Sequence, residues 1–146
     1  MQIAHDCYVV VADGRKALYL RNEGDAVHLN LEVVRADEQE LPADRDIKSD
    51  APGVSFSSAG YGRDTMQETD FHQQEEDRFA ADAADRLRRW ALDGRFESLV
   101  VVAPPKTLAV LRSNYHVEVE RRLQGELAKD LTGHPVDRIE KILMGA

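Results

Sequence analysis

The chain has 146 residues, 42% of them hydrophobic and 32% charged, and carries a net charge of −8. That length supports one domain with a core of its own, and the composition excludes collagen-like and fully disordered classes. A single cysteine, Cys7, excludes an intramolecular disulfide framework, and the longest apolar runs fall far short of the ~20 residues needed to span a bilayer. The opening MQIAHDCYVV lacks the basic and long apolar regions of a secretory signal, so a cytoplasmic protein without membrane association is expected.

The stretch Cys7 to Ala12 is apolar and β-branched, Asp13-Gly14 is a hairpin turn signal, and residues through Tyr19 resume an extended pattern, which predicts two strands in a hairpin. After a second turn at Asn22 to Asp25, Val27, Leu29, Leu31 and Val33 alternate with His28, Asn30, Glu32 and Val34. This predicts a third antiparallel strand with one buried face. From Asp37 to about Glu68 the pattern vanishes into a long acidic, Gly/Ser-rich connection, expected to be a loop at 37–68.

A long helix is predicted over about 70–93, with Thr69 or Asp70 as its cap and Gly94 as its stop. Its apolar stripe is Phe79, Ala83, Leu87 and Trp90. The run Ser98 to Ala103 reads as a strand covered on both faces, and Pro105 opens a helix carrying Leu108, Leu111 and Arg112. Residues His116 to Leu131 admit either a helix or a strand, and the preferred reading is a helix to about Leu123 followed by a strand. Thr132-Gly133-His134-Pro135 introduces a terminal helix with Val136, Ile139, Ile142 and Leu143 on one side. The order βββαβααβα predicts a single α/β domain over 1–146, a mixed sheet of about five strands flanked by helices.

Charge is unevenly spread. Residues 37–77 hold 12 acids against 3 bases, whereas residues 78–146 hold 10 against 12. The acidity is therefore concentrated in the central segment, and the C-terminal half has the basic side chains that an RNA backbone would need.

In order along the chain, VVVADGRKALYL, DFHQQEEDRFAADAADRL, LVVVAPPKTLAVLR and KDLTGHP resemble the bacterial host-attachment protein family. That family in turn resembles the middle domain of archaeo-eukaryotic class I peptide-release factors, which implies a ribonuclease H-like fold. In release factors the long loop carries a Gly-Gly-Gln tip that enters the ribosomal peptidyl-transferase centre. Here the matching segment is Ser58-Ala59-Gly60-Tyr61-Gly62-Arg63, and no Gly-Gly-Gln occurs in the chain. The resemblance thus implies a position and a class of partner, the ribosome or RNA, rather than hydrolysis of peptidyl-tRNA. The host-attachment name is compatible with an indirect effect of an intracellular protein.

The expected binding residues are Gly60, Tyr61, Gly62 and Arg63 at the acid-free tip, with Lys106, Arg112 and Lys129 gathered at one sheet end. His72, Glu75 and Glu76 stand at i, i+3 and i+4, a spacing that would let a helix point them at one metal ion, although acids in a first turn equally serve the helix dipole. Asp13 invites comparison with the carboxylates of nucleases but reads more simply as a turn residue. Cys7 reads as a buried thiol, and no catalytic residue or cofactor is expected. The leading reading is a non-catalytic binding domain for ribosomes or RNA. The alternatives are a hydrolase with a site under residues 55–72 and a regulatory module whose acidic loop engages a protein partner.

Overall fold

The strongest apolar runs of the chain form the middle of its sheet. The computed structural model describes residues 1–39 and 61–146, with residues 61–69 by backbone alone. Strands β1 (Tyr8–Ala12) and β4 (Leu99–Val102) are buried at every position, as two-sided burial demands of YVVVA and LVVV. They pair in parallel, Tyr8 opposite Leu99 through Val11 opposite Val102. Outward from β1 lie β2 (Lys16–Asn22) and β3 (Leu31–Glu38), both antiparallel to their neighbours, while β5 (Leu123–Leu127) flanks β4 in parallel. The sheet order is β3-β2-β1-β4-β5, a mixed five-stranded sheet.

Helices cover both faces. Helix α1 (Tyr61–Leu92), α2 (Pro105–Asn114) and α3 (Val117–Arg122) lie on one side, and α4 (Val136–Met144) lies on the other. The twofold alternation of β1 divides its side chains between two clusters. Tyr8, Val10 and Ala12 meet Ala84, Leu87 and Trp90 of α1, whereas Val9 and Val11 meet Ile139 and Leu143 of α4. Among the described residues the observed order is the predicted βββαβααβα, including the change from helix to strand at Leu123.

Three boundaries differ from expectation. Helix α1 begins at Tyr61 and not near residue 70, so Thr69 and Asp70 lie inside it. An apolar stripe marks a helix only where it crosses a core, and Phe79, Ala83, Leu87 and Trp90 are where this one does. Consequently the connection is shorter than the expected 37–68, since Asp37 and Glu38 also belong to β3. Residues 40–60 of the predicted loop, Gly60 among them, lie outside the described residues.

The expected alternation of β3 also fails. Tyr19 faces Arg35 but Leu20 faces Val33, so Val34 is an extra residue in a β-bulge. The bulge turns Val34 toward the α1 cluster and leaves Val33 48% exposed, while Leu31 stays buried on the α4 side. Val27 precedes the strand, in the turn after β2, and is 68% exposed.

Candidate nucleic-acid interface

Strands β1, β4 and β5 run in parallel and finish at the same end of the sheet, from which three connections leave. The first is the β1–β2 turn. Asp13 Oδ1 accepts the backbone N–H groups of Arg15 at 2.7 Å and Lys16 at 2.8 Å, which is the turn role that Asp-Gly foreshadows. Its second oxygen lies 2.9 Å from the Thr132 hydroxyl, which is also 2.7 Å from Asp130 Oδ1. Thus Asp13 joins the hairpin to the loop after β5, and its carboxylate serves the fold.

The second connection leaves β4 through Pro104-Pro105 into α2. Lys106 stands exposed in the first turn of that helix and donates to Gln73 Oε1 of α1 at 3.0 Å, while Gln73 Nε2 donates to Asp77 at 2.8 Å. Gln73, Glu76, Asp77, Lys106 and Thr107 line a cavity of about 20 Å³ between the helices. That volume holds a single water and no larger ligand. The third connection follows β5 and carries Lys129, exposed at the same end of the sheet as Lys106.

Of the three bases expected to gather there, Lys106 and Lys129 do so and Arg112 does not. Arg112 lies near the far end of α2, where its guanidinium donates twice to Glu126 Oε1, at 3.0 and 2.8 Å. The carboxylate draws the side chain across β5 and compensates its charge, which raises the guanidinium pKa further through that hydrogen bond. Tyr61, Gly62 and Arg63 form the first turn of α1 instead of a loop tip.

The metal arrangement is not assembled. Glu75 is buried and engaged by Gln39 Nε2 at 3.1 Å and Arg78 at 3.3 Å, while the Glu76 side chain packs against Gly14. Among the described residues no three His, Cys, Asp or Glu side chains form a group able to hold a metal ion. Helical spacing alone did not bring His72, Glu75 and Glu76 to one point, because Glu75 is engaged by Gln39 and Arg78 while Glu76 lies against the β1–β2 turn. Cys7 is buried beside the sheet, and desolvation raises its thiol pKa, as expected of an inert core cysteine.

A model of the bacterial archaeo-eukaryotic release factor family 12 matches residues 6–143. The chain belongs to that family. The match names release factors and not host-attachment proteins. No protein of curated function matches family 12's member here in sequence. Among solved structures, the archaeal translation termination factor aRF1 is similar with a TM-score of 0.43 at 12% identity, over 85% of this chain and 30% of that one. The family 12 chain therefore spans less than a third of that factor's length. Among its described residues, no helix is long and apolar enough to cross a membrane.

One further feature of this family 12 domain escaped the sequence reading. An open cleft of about 360 Å³ is lined by His134, Pro135, Asp137, Arg138 and Lys141 at the start of α4. The available signal was the i, i+3 spacing of Arg138 and Lys141 on the polar side of an amphipathic helix.

Proposed function

We propose that this chain is a binding domain of translation that docks on ribosomal RNA without carrying out a reaction itself. The observation that carries the reading is the family match across residues 6–143. The absence of a Gly-Gly-Gln tripeptide from these 146 residues keeps peptidyl-tRNA hydrolysis out of it. The contact is assigned to the end of the sheet bearing Lys106 and Lys129, together with Tyr61, Gly62 and Arg63 where α1 begins and with Gly60, which lies outside the described residues. Arg112 contributes through Glu126 to the fold of that side and is not assigned a phosphate. A link to host attachment is then an indirect consequence of altered translation.

Co-sedimentation of the protein with ribosomes across a salt series tests this. Association should weaken steadily with salt, because each cation that meets a phosphate releases counterions. Lys106→Ala with Lys129→Ala should reduce the pelleted fraction several-fold at low salt, with folding confirmed by circular dichroism. No co-sedimentation at any salt concentration overturns the proposal.

A further inference from the structure

Most arginines of this acidic chain are already compensated. Asp37 holds Arg35 and Arg86, Glu118 holds Arg121 and Arg122, and Glu126 holds Arg112. On α4 the pattern reverses. Arg138 and Lys141 are exposed and form no ion pair with any described residue. The acids closest to them in the chain are directed elsewhere, apart from Asp137 in the cleft lining. Glu140 Oε2 accepts the Leu31 N–H at 2.6 Å, and Asp130 Oδ1 accepts from Thr132.

The rotation of α4 is set by its apolar side, since Ile139 and Leu143 are fully buried against the sheet. That anchoring holds Arg138 and Lys141 on the outer face beside the 360 Å³ cleft, with His134 at its entrance. Arg138 and Lys141 stand three residues apart on α4, ~4.5 Å along its axis, so their charges lie one above the other on the same face. Pro135 provides no side-chain cap, and its carbonyl accepts the Arg138 and Ile139 N–H groups at 3.0 and 3.1 Å.

We infer that the α4 cleft is a second RNA-backbone contact, with Arg138 and Lys141 each meeting a phosphate. Two uncompensated cations on one helix face fit the successive anions of a phosphate backbone, and the guanidinium fork of Arg138 matches phosphate oxygens. The inference rests on the RNA reading above and extends it to the opposite face of the sheet. Two faces would let one domain bridge two strands or two segments of a folded RNA.

The test measures binding of a fluorescently labelled single-stranded RNA oligonucleotide by anisotropy at several salt concentrations. Arg138→Ala with Lys141→Ala removes two exposed charges and should leave folding intact. The slope of log K against log salt should fall by about 1.4, at ~0.7 per phosphate contact on a single strand. Ribosome association should weaken in parallel. An unchanged slope with persistent ribosome co-sedimentation overturns the second contact and leaves the proposed function standing. Failure of the wild-type chain to bind either RNA or ribosomes removes both. Binding to polyglutamate as tight as to RNA overturns the inference in favour of an acidic protein partner.

Discussion

Asn22 shows how one polar side chain organises a buried corner. It is fully buried at the end of β2, and its amide nitrogen donates to the carbonyls of Ile3 and Ala4 at 2.9 and 3.1 Å. Its oxygen accepts the N–H groups of Gly24 and Asn30 at 2.9 and 3.1 Å, so the amide ties the N-terminal segment to the β2–β3 turn. The turn itself depends on Gly24. A Cβ there would lie 2.0 Å from the His28 carbonyl oxygen and 3.0 Å from the Asn30 nitrogen, both backbone atoms that cannot rotate away. Gly24→Ala should therefore cost about 1–3 kcal/mol, the range of a steric overpacking. Gly133→Ala, where nothing lies within 4 Å of the added carbon, should stay within ~0.5 kcal/mol. Urea unfolding of the two variants measures the difference, and equal midpoints would contradict the argument.

At the scale of elements, α1 is the principal cover of the sheet, and Trp90 is its main anchor. The indole meets Tyr8 edge-on at 5.9 Å and Tyr19 at 5.1 Å, and the Arg95 guanidinium lies 4.1 Å above it. Arg95 also donates to the Tyr8 hydroxyl at 3.2 Å, so the residue after the helix stop closes over the same cluster. Gly94, at φ +70°, makes that return possible, because a side chain would disfavour the left-handed conformation. Trp90→Ala should cost about 3–5 kcal/mol through the cavity it leaves, and Trp90→Phe less, since a ring remains for Tyr8 and Tyr19 to meet. Guanidinium unfolding followed by circular dichroism gives both values. Equal losses for the two variants would show that ring packing is not what anchors the helix.

At the scale of the whole molecule, the pH dependence of stability follows from two buried phenols. Burial, reinforced by the Asp37 carboxylate and opposed by Arg86, pushes the Tyr19 pKa up to about 12. Burial and then Glu126 also raise Tyr115. In the unfolded chain both ionise near pH ~10, so between that value and the folded one the unfolded state binds fewer protons. The stability they contribute is complete below about pH 10 and is lost as pH rises toward about 12 for Tyr19. Urea midpoints should accordingly fall across that interval. Tyr19→Phe should flatten part of the decline while costing little at neutral pH, because the Tyr19 hydroxyl makes no well-formed hydrogen bond. A decline of the same steepness in the variant would assign the alkaline loss to other groups.

The elements of the described residues and their order were legible in the sequence, because each carries its own local cause. LVVV and YVVVA can be stable only as strands covered on both faces, Asp13-Gly14 turns a hairpin, and Phe79, Ala83, Leu87 and Trp90 share a helical stripe. Where α1 begins was not legible, since residues 61–69 carry no regular apolar period to announce a helix. The β3 bulge was equally hidden, because the Tyr19/Leu20 register is settled between strands and not within one. Charge was legible as a count but not as a disposition. Sequence placed Arg112 at one sheet end with Lys106 and Lys129, whereas across α2 and β5 it pairs with Glu126. The same proximity rule left Arg138 and Lys141 uncompensated on α4, since their neighbours Glu140 and Asp130 found backbone and hydroxyl donors elsewhere. Local pattern determines which elements form. Which charges remain available for a partner depends on distances across the fold, and only the tertiary structure sets those.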